Sequence, residues 1–343
     1  MKLFKALQAI SAATLLAASA GVAAQEVTLK FHHFNPVNTP AHQRILKPWA
    51  EAVEKQSNGR IKVEIYPAMG LGGKPPELIN QVRDGVVDIT FTLPTYTPGR
   101  FPISEVFELP FINADALTMA RAFHDFAAVH LRDEFKDFHV LSIWTHAGAA
   151  LHSTKPVRRL EDFKGLTVRT SGPGGSLFLE AVGATPVPMQ IPELPSALSR
   201  GVVDGAMLPF EVLPAFKIQE MTKYHVTLDG GRRFYAQTFV MLMNRARYDK
   251  LPADLKKVID DNSGLTLGEA AARAWMEFEG RGEQAARTRG NEFIVLSPEE
   301  SARIEKASQP AIDRWIADVG RRGIDGRKIV DAAKAAIAKY RGK

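Results

Sequence analysis

The side chain best placed for chemistry is an arginine close to the end of a short predicted strand. Arg169 follows Val168 in the segment 165–170, whose alternating apolar and polar residues are typical of a half-buried strand. Because successive side chains of a strand point to opposite faces, Val168 and Arg169 point in opposite directions. A planar guanidinium there could hold a carboxylate through two parallel hydrogen bonds. The position alone also allows a surface arginine that pairs with an acidic residue on a helix.

Signatures of the common enzyme classes are missing from the sequence. It contains no GxSxG nucleophile turn, no GxxxxGK(S/T) phosphate loop and no HExxH zinc motif. The lack of cysteine also excludes disulfide scaffolds, zinc fingers, iron–sulfur clusters, cysteine nucleophiles and a lipid-anchored cysteine. We therefore expect neither enzymatic activity nor a cofactor. A hydrolase is the alternative, but no nucleophile–base pair can be named for it.

The nine histidines do not show the spacing of a metal site. His32 and His33 are adjacent on a predicted strand, so only one of them can face a cleft. His146 and His152 have no acidic or sulfur-bearing residue close by in the sequence that would complete a set of ligands. We expect no bound metal.

A unit of 13 residues occurs twice, at an offset of 116 residues. Residues 76–88 and 192–204 are identical at seven positions, which carry Pro, Glu, Leu, Gly, Val, Val and Asp in the same order. Each copy predicts a short helix with Pro and Glu in its first turn, ended by Gly85 or Gly201 and followed by a short strand. Helix–glycine–strand units recur in many α/β proteins, but the fixed register favours two related lobes.

Strand and helix patterns alternate along the rest of the chain. Strands are predicted near residues 27–31, 61–65, 140–144, 166–169 and 239–243, and helices near 39–56, 265–286, 298–319 and 327–340. This alternation predicts an α/β fold with parallel or mixed sheets that are covered by helices. Ligands of such sheets bind beyond the carboxyl ends of the strands, so two lobes of this kind would form a cleft between them.

Residues 1–24 have the features of a secretory signal peptide. Lys2 and Lys5 precede a mostly apolar run without acids, and small residues lead to a predicted cleavage site after Ala24. The run is shorter than the roughly 20 residues of a membrane-spanning helix, which argues against an anchor. We expect export and a soluble mature protein, whose formal net charge falls from +6 to +4. No basic stripe interleaved with aromatic residues occurs, so nucleic acid is not an expected partner.

Several motifs, in a fixed order, resemble those of the DctP-type solute-binding proteins of tripartite ATP-independent periplasmic (TRAP) transporters. The most specific are KGLTVR at residues 164–169, GATPVPM at 183–189 and GVVDG at 201–205, preceded by SNGRI at 57–61, DGVVD at 84–88 and FELPF at 107–111. The resemblance covers essentially the whole chain after the signal peptide. It implies two α/β lobes that are joined by crossing strands, braced by a long helix and able to close on a ligand.

The resemblance also implies a partner and a cellular location. We expect one lobe to comprise residues 25–146 and 234–274, and the other to comprise residues 147–233 and 275–343. The protein would be a periplasmic receptor that delivers a small carboxylate to the membrane permease of a TRAP transporter, which an ion gradient drives. A sensor that presents its ligand to a histidine kinase would use the same fold, and the sequence does not separate the two.

In this family the arginine that matches Arg169 binds the carboxylate of the ligand. Leu208 stands where sugar-acid receptors often carry Asn, Leu93 where some carry an acid, and Ile191 where an aromatic residue is common. A pocket without partners for sugar hydroxyls favours a carboxylate with an aromatic or other apolar body. Receptors for sugar acids, or for other hydroxy or keto acids, are the alternative.

The expected pocket combines this arginine with side chains from both lobes. Besides Arg169, the expected ligand-binding residues are His33, Phe34, Asn35, Leu93, Tyr96, Trp144, His146, Ile191, Leu208 and Phe210. The aromatic side chains would enclose the body of the ligand, and His33, Asn35 or His146 would reach a hydroxyl or keto group. The alternative for each of these apolar or aromatic side chains is a place in the ordinary core.

Overall fold

The computed structural model describes residues 25–146 and 148–342. The predicted signal peptide, residues 1–24, lies outside the described residues. Within them, no helix combines the length and the apolar character that crossing a bilayer requires.

Eleven strands occur in the described ranges. In chain order they are β1 (Val27–His33), β2 (Ile61–Tyr66), β3 (Ile89–Thr92), β4 (Phe138–Thr145), β5 (Ala150–Ser153), β6 (Thr167–Thr170), β7 (Thr185–Pro188), β8 (Gly205–Leu208), β9 (Tyr224–Thr227), β10 (Thr238–Asn244) and β11 (Glu292–Val295). The strands predicted from alternation are all present.

Helices follow most of these strands. In chain order they are α1 (Lys47–Gln56), α2 (Leu78–Arg83), α3 (Ala116–His130), α4 (Pro173–Ala181), α5 (Leu194–Ser199), α6 (Leu213–Phe216), α7 (Ile218–Met221), α8 (Arg245–Asp249), α9 (Ala253–Asp261), α10 (Gly264–Thr288), α11 (Pro298–Gly320) and α12 (Gly326–Tyr340). The helix predicted from residue 39 begins with a π-helical turn, Ala41–Leu46, that leads into α1.

The strands form two separate sheets, one in each lobe. The first sheet has the order β2-β1-β3-β10-β4, and β10 runs antiparallel to both of its neighbours. The second has the order β11-β9-β5-β8-β6-β7, in which β5 runs antiparallel to β8 and β9. The remaining pairs are parallel, as the alternation of strand and helix predicts. The two-lobe α/β fold is therefore confirmed.

The repeated unit places the same structure in both lobes. Asp88 precedes β3, and its carboxylate accepts a hydrogen bond of 2.7 Å from the backbone N–H of Lys30 on β1. Asp204 precedes β8, and its carboxylate accepts one of 2.9 Å from the backbone N–H of Thr167 on β6. The glycine that ends the preceding helix has a positive φ in each copy. The shared residues thus stabilise the same helix-to-strand turn twice.

Two chain segments connect the lobes and run side by side. The segment after β4 and the segment before β10 exchange backbone hydrogen bonds: His146 N–H donates to the carbonyl of Gln237 at 3.3 Å, and Ala149 N–H donates to that of Tyr235 at 2.7 Å. Helix α10 packs against α3 and β4 of the first lobe and against the turn Phe210–Val212 of the second. These are the crossing strands and the long bracing helix that the resemblance implies.

The residue ranges that we expect for the two lobes stay a prediction. Residues of β10 join the first sheet and those of β5 to β9 join the second. Helix α12 lies within the segment 275–343 that we expected in the second lobe. It packs against α3 of the first lobe, where Ile329, Val330 and Ala333 share a core with Phe123.

Candidate ligand-binding site

Arg169 lies on β6, which pairs with β7 on one side and β8 on the other. Val168 is buried in the core of the second lobe with Phe178, while Arg169 lines a cavity between the lobes. The Nε atom of Arg169 donates a hydrogen bond of 3.0 Å to the carbonyl oxygen of Met189. This bond orients the guanidinium and leaves its other N–H groups for further partners.

Arg169 is buried without an acidic partner. Its side chain is only 1% exposed, and no carboxylate of the described ranges forms an ion pair with it. Burial lowers the pKa of Arg169, whereas Tyr96, Tyr235 and Glu193 favour its charged form. Arginine keeps its proton in proteins. Because a buried charge is costly unless it is paired, the site favours an anion at this guanidinium.

Tyr96 connects the first lobe to this arginine. It ends the short turn Pro94–Tyr96 after β3 and is buried. Its hydroxyl oxygen accepts a hydrogen bond of 3.2 Å from the backbone N–H of Ile191 in the second lobe. This hydrogen bond crosses the cleft, so the two lobes are in contact beside Arg169.

The cavity between the lobes spans about 450 Å³ of empty space, a volume that includes its opening to solvent. The first lobe contributes residues that follow β1 and β3, and the second contributes residues at the ends of β6, β7 and β8, while the crossing segments, β10 and α10 complete the wall. The lining residues are Phe34, Asn35, Thr39, Ala41, Leu93, Tyr96, His146, Arg169, Ile191, Leu208, Pro209, Glu211, Val212, Gln237, Phe239 and Trp275. This is the predicted position beyond the carboxyl ends of the strands.

Aromatic rings form two walls of the cavity. The rings of Phe34 and Tyr96 meet edge to face with their centroids 5.5 Å apart. The rings of Phe239 and Trp275, which also line the cavity, are 4.7 Å apart. Aromatic and aliphatic walls with few polar groups suit a ligand whose body is apolar.

A hydrogen-bonded network fixes two of the polar lining residues. The backbone N–H of Gly148 donates to Nδ1 of His146 at 2.8 Å, so the ring proton is on Nε2, which donates to Oε1 of Gln237 at 3.0 Å. Nε2 of Gln237 in turn donates to the hydroxyl oxygen of Ser171. Burial lowers the pKa of His146 to about 4, so this histidine is neutral at pH 7. It therefore adds no second positive charge to the cavity.

The structure brings eight of the eleven expected site residues to the cavity. These are Phe34, Asn35, Leu93, Tyr96, His146, Arg169, Ile191 and Leu208. It does not bring His33, Trp144 or Phe210 to the cavity surface.

His33, the last residue of β1, does not line the cavity. Its Nδ1 accepts a hydrogen bond of 3.1 Å from the N–H of Asn35, and its Nε2 lies 3.0 Å from Nδ1 of His42. Both ring nitrogens are therefore used within the first lobe.

Trp144 and Phe210 lie one layer behind the lining. The ring of Trp144 stacks on Phe91 at 5.6 Å, and Trp275 stands beside it and faces the cavity. Phe210 packs against His152 at 4.7 Å, on the side where the second lobe buries its sheet. Their positions in the sequence predicted that both lie near the cleft, but not whether they line the cavity or pack in the core behind it.

Eight lining residues were not expected from the sequence. They are Thr39, Ala41, Pro209, Glu211, Val212, Gln237, Phe239 and Trp275. The repeat offers a signal for two of them, because its offset of 116 residues relates Leu93 to Pro209 and Tyr96 to Val212. Glu211 lies in the turn after β8, and Thr39, Ala41, Gln237, Phe239 and Trp275 lie in or beside the π-helical turn, β10 and α10. Only the three-dimensional packing of these elements brings them to the cavity.

Comparison with known proteins identifies relatives of this chain. Residues 31–318 match the family model of DctP, the bacterial extracellular solute-binding protein family 7. The C4-dicarboxylate-binding periplasmic protein DctP of Rhodobacter capsulatus is 29% identical over 330 residues, which cover 94% of this chain and 95% of that protein.

Two solved structures are similar over nearly the whole chain. A TRAP solute-binding protein from an unidentified marine microbe, specific for aromatic acids and bound to 3-hydroxybenzoate, has 42% identity and a TM-score of 0.91, covering 93% of this chain and all of that one. A TRAP solute-binding protein of Rhodoferax ferrireducens with copurified benzoate has 41% identity and a TM-score of 0.89. The match covers 91% of this chain and 98% of that one.

Members of this family are periplasmic receptors that bind small molecules and work with TRAP permeases, and they are not enzymes. The matched family model spans most of the chain, and the fold and the cleft agree with it. The chain belongs to the DctP family of solute-binding proteins of TRAP transporters.

Proposed function

We propose that this receptor binds an aromatic monocarboxylate in the periplasm and delivers it to a TRAP permease. The observation that carries the proposal is Arg169, a buried guanidinium without an acidic partner in the described ranges, at the wall of a cavity made mainly of aromatic and aliphatic side chains. The guanidinium binds the carboxylate, and the rings of Phe34, Tyr96, Phe239 and Trp275 enclose the body.

The charges at the cavity favour one carboxylate over two. Arg169 is the one lysine or arginine among the lining residues, and His146 is neutral at pH 7. A dicarboxylate would bring a second negative charge to a cavity that has no second cation among these residues, which is costly in a buried site. The similar structures that hold benzoate and 3-hydroxybenzoate support the same ligand class.

Delivery to a permease requires export, which the first 24 residues provide. A signal peptide that is cleaved after Ala24 would release a chain with a new N-terminus at Gln25, two residues before β1 begins. Mass spectrometry of protein purified from the periplasm would identify this N-terminus directly.

A panel of carboxylic acids tests the ligand class. The mature protein would be unfolded and refolded to remove any copurified ligand, and its thermal stability would be measured with benzoate, phenylacetate, succinate and N-acetylneuraminate. A ligand at 100 times its dissociation constant adds about 2.7 kcal/mol of stability. We expect this effect from the two aromatic acids. Stabilisation by succinate or the sugar acid, without any from the aromatic acids, would contradict the proposal.

A further inference from the structure

A second ionisable side chain, that of Glu211, lines the same cavity. It lies in the turn Phe210–Val212, just after β8, and is only 5% exposed. Its Oε2 atom has no hydrogen-bond partner in the described ranges. Buried carboxyl oxygens of native proteins nearly always have a partner, so this one requires an explanation.

The charges around Glu211 favour its neutral form. Its backbone N–H donates to Oε2 of Glu279 on α10 at 3.1 Å. Arg233 pairs with Glu279 and Glu283 at 3.1 Å each, and no cation in the described ranges forms an ion pair with Glu211. Burial and the adjacent Glu279 raise the pKa of Glu211 well above its ordinary value. These surroundings favour the carboxylic acid, which donates one hydrogen bond and accepts others.

Most other polar lining groups are already used. His146 and Gln237 bond to each other and to neighbouring groups, and the hydroxyl of Thr39 donates to the carbonyl of Pro36 at 2.8 Å. Apart from Arg169 and the O–H proton of Tyr96, whose oxygen accepts from Ile191, this leaves the amide of Asn35 and the carboxyl of Glu211 for a ligand. Of these two, the carboxyl group is the costlier to leave unpaired in a buried site.

On the basis of the proposed function, we propose that Glu211 binds a hydroxyl group on the aromatic body of the ligand, so that the receptor selects hydroxylated aromatic monocarboxylates. A hydroxyl and a carboxylic acid are complementary, since each can donate and accept a hydrogen bond. A second carboxylate on the ligand would be repelled by Glu279, and an apolar substituent would leave Glu211 unpaired. Sites built to bind a hydroxyl discriminate strongly against analogues that lack it.

Ligand pairs of equal size test the proposal on the unaltered protein. Dissociation constants would be measured by calorimetry for benzoate, 3- and 4-hydroxybenzoate, and 3- and 4-methylbenzoate. We expect one hydroxybenzoate to bind at least about tenfold more tightly than its methyl counterpart. Equal affinities for hydroxyl and methyl would overturn the role of Glu211 and leave the proposed function standing. If no member of the series binds, the proposed function itself fails.

Three variants assign the effect to a residue. Glu211→Leu should reduce the hydroxyl preference to about threefold or less. Glu211→Gln retains a hydrogen-bond donor and an acceptor but cannot ionise. It should therefore keep most of the preference for the hydroxylated ligand. Asn35→Leu removes the other polar group that is available in the lining, so it tests the competing assignment of the hydroxyl preference to Asn35. A preference that survives in Glu211→Leu, or disappears in Asn35→Leu alone, would overturn the proposal.

Discussion

The hydroxyl oxygen of Tyr96 in the first lobe accepts a hydrogen bond from the backbone N–H of Ile191 in the second, 3.2 Å away. Tyr96 also belongs to the wall that surrounds Arg169. One phenol therefore contacts both the opposite lobe and the ligand cavity, so lobe closure and ligand binding depend on the same side chain.

Tyr96→Phe tests this coupling. The variant keeps the ring but removes the acceptor for the N–H of Ile191, which would be buried unpaired in the closed form. A net hydrogen bond is worth about 0.5–1.5 kcal/mol, so we expect benzoate to bind about three- to tenfold more weakly by calorimetry. The melting temperature without ligand should change little. A large loss of stability with unchanged affinity would contradict the coupling.

Substitution of Arg169 should have a larger effect on binding. Arg169→Ala removes the buried positive charge, and a hydrogen bond to a charged group is worth about 1.5–3 kcal/mol. We expect the affinity for benzoate to fall at least about tenfold in calorimetric titration. Arg169→Lys is the control, because it retains the positive charge but not the planar guanidinium. Its affinity for benzoate should lie between that of the unaltered protein and that of Arg169→Ala. Unchanged affinity in the alanine variant would exclude Arg169 as the carboxylate ligand.

Gly172 provides a test of lobe closure. It directly precedes α4 in the second lobe, and a Cβ atom added there would lie 2.5 Å from Cβ of Thr95 in the first lobe. Gly172→Ala should therefore oppose closure and weaken benzoate binding by about tenfold, because such overlaps typically cost about 1–3 kcal/mol. In a Thr95→Gly background the same change should have little effect. Equal losses in both backgrounds would place the cause elsewhere.

Two glycines of α10 form a matched pair for stability. Gly280 is exposed and has nothing within 4 Å of an added Cβ, whereas an added Cβ at Gly282 would overlap the carbonyl oxygen of Phe210. We expect Gly280→Ala to raise the free energy of unfolding by about 0.5–1 kcal/mol, since alanine favours the helix. Gly282→Ala should lower it by about 1–3 kcal/mol. Urea unfolding measures both, and equal effects would disprove this packing of α10.

Stability should depend on pH through Glu108. Burial raises the pKa of this carboxyl to about 8, against an ordinary value of 4.5, and its Oε1 accepts a hydrogen bond of 2.8 Å from the N–H of Thr238. The folded state thus holds a proton that the unfolded state releases, so this stabilisation is complete below pH 4.5 and is lost as the pH rises through about 8.

Glu108→Gln tests the assignment because the amide does not ionise in this range. We expect the decrease in unfolding free energy between pH 5 and pH 8 to be smaller in the variant by roughly 1–3 kcal/mol. Urea titrations at the two pH values measure the difference. An identical decrease in both proteins would show that Glu108 does not carry it.

The sequence predicted the fold better than it predicted the cavity surface. Alternation identified the strands, and the repeat predicted the matching turns at Asp88 and Asp204, since both signals are local. Arg169 was identifiable because its strand position and its motif agree. His33, Trp144 and Phe210 were expected in the pocket but lie behind it, because proximity to the cleft does not fix which way a side chain points. Glu211 carries no local signal, and its position depends on α10 packing beside its turn.

The paired connections between the lobes limit how they can move. Two antiparallel segments that are tied by backbone hydrogen bonds bend together, which favours a hinge motion of the lobes. One distance across the cleft then reports the whole motion. Because the chain has no cysteine, two introduced cysteines, one in each lobe, would carry a fluorescent donor and acceptor without background labelling. The receptor can thus serve as a ratiometric optical sensor for its own ligand.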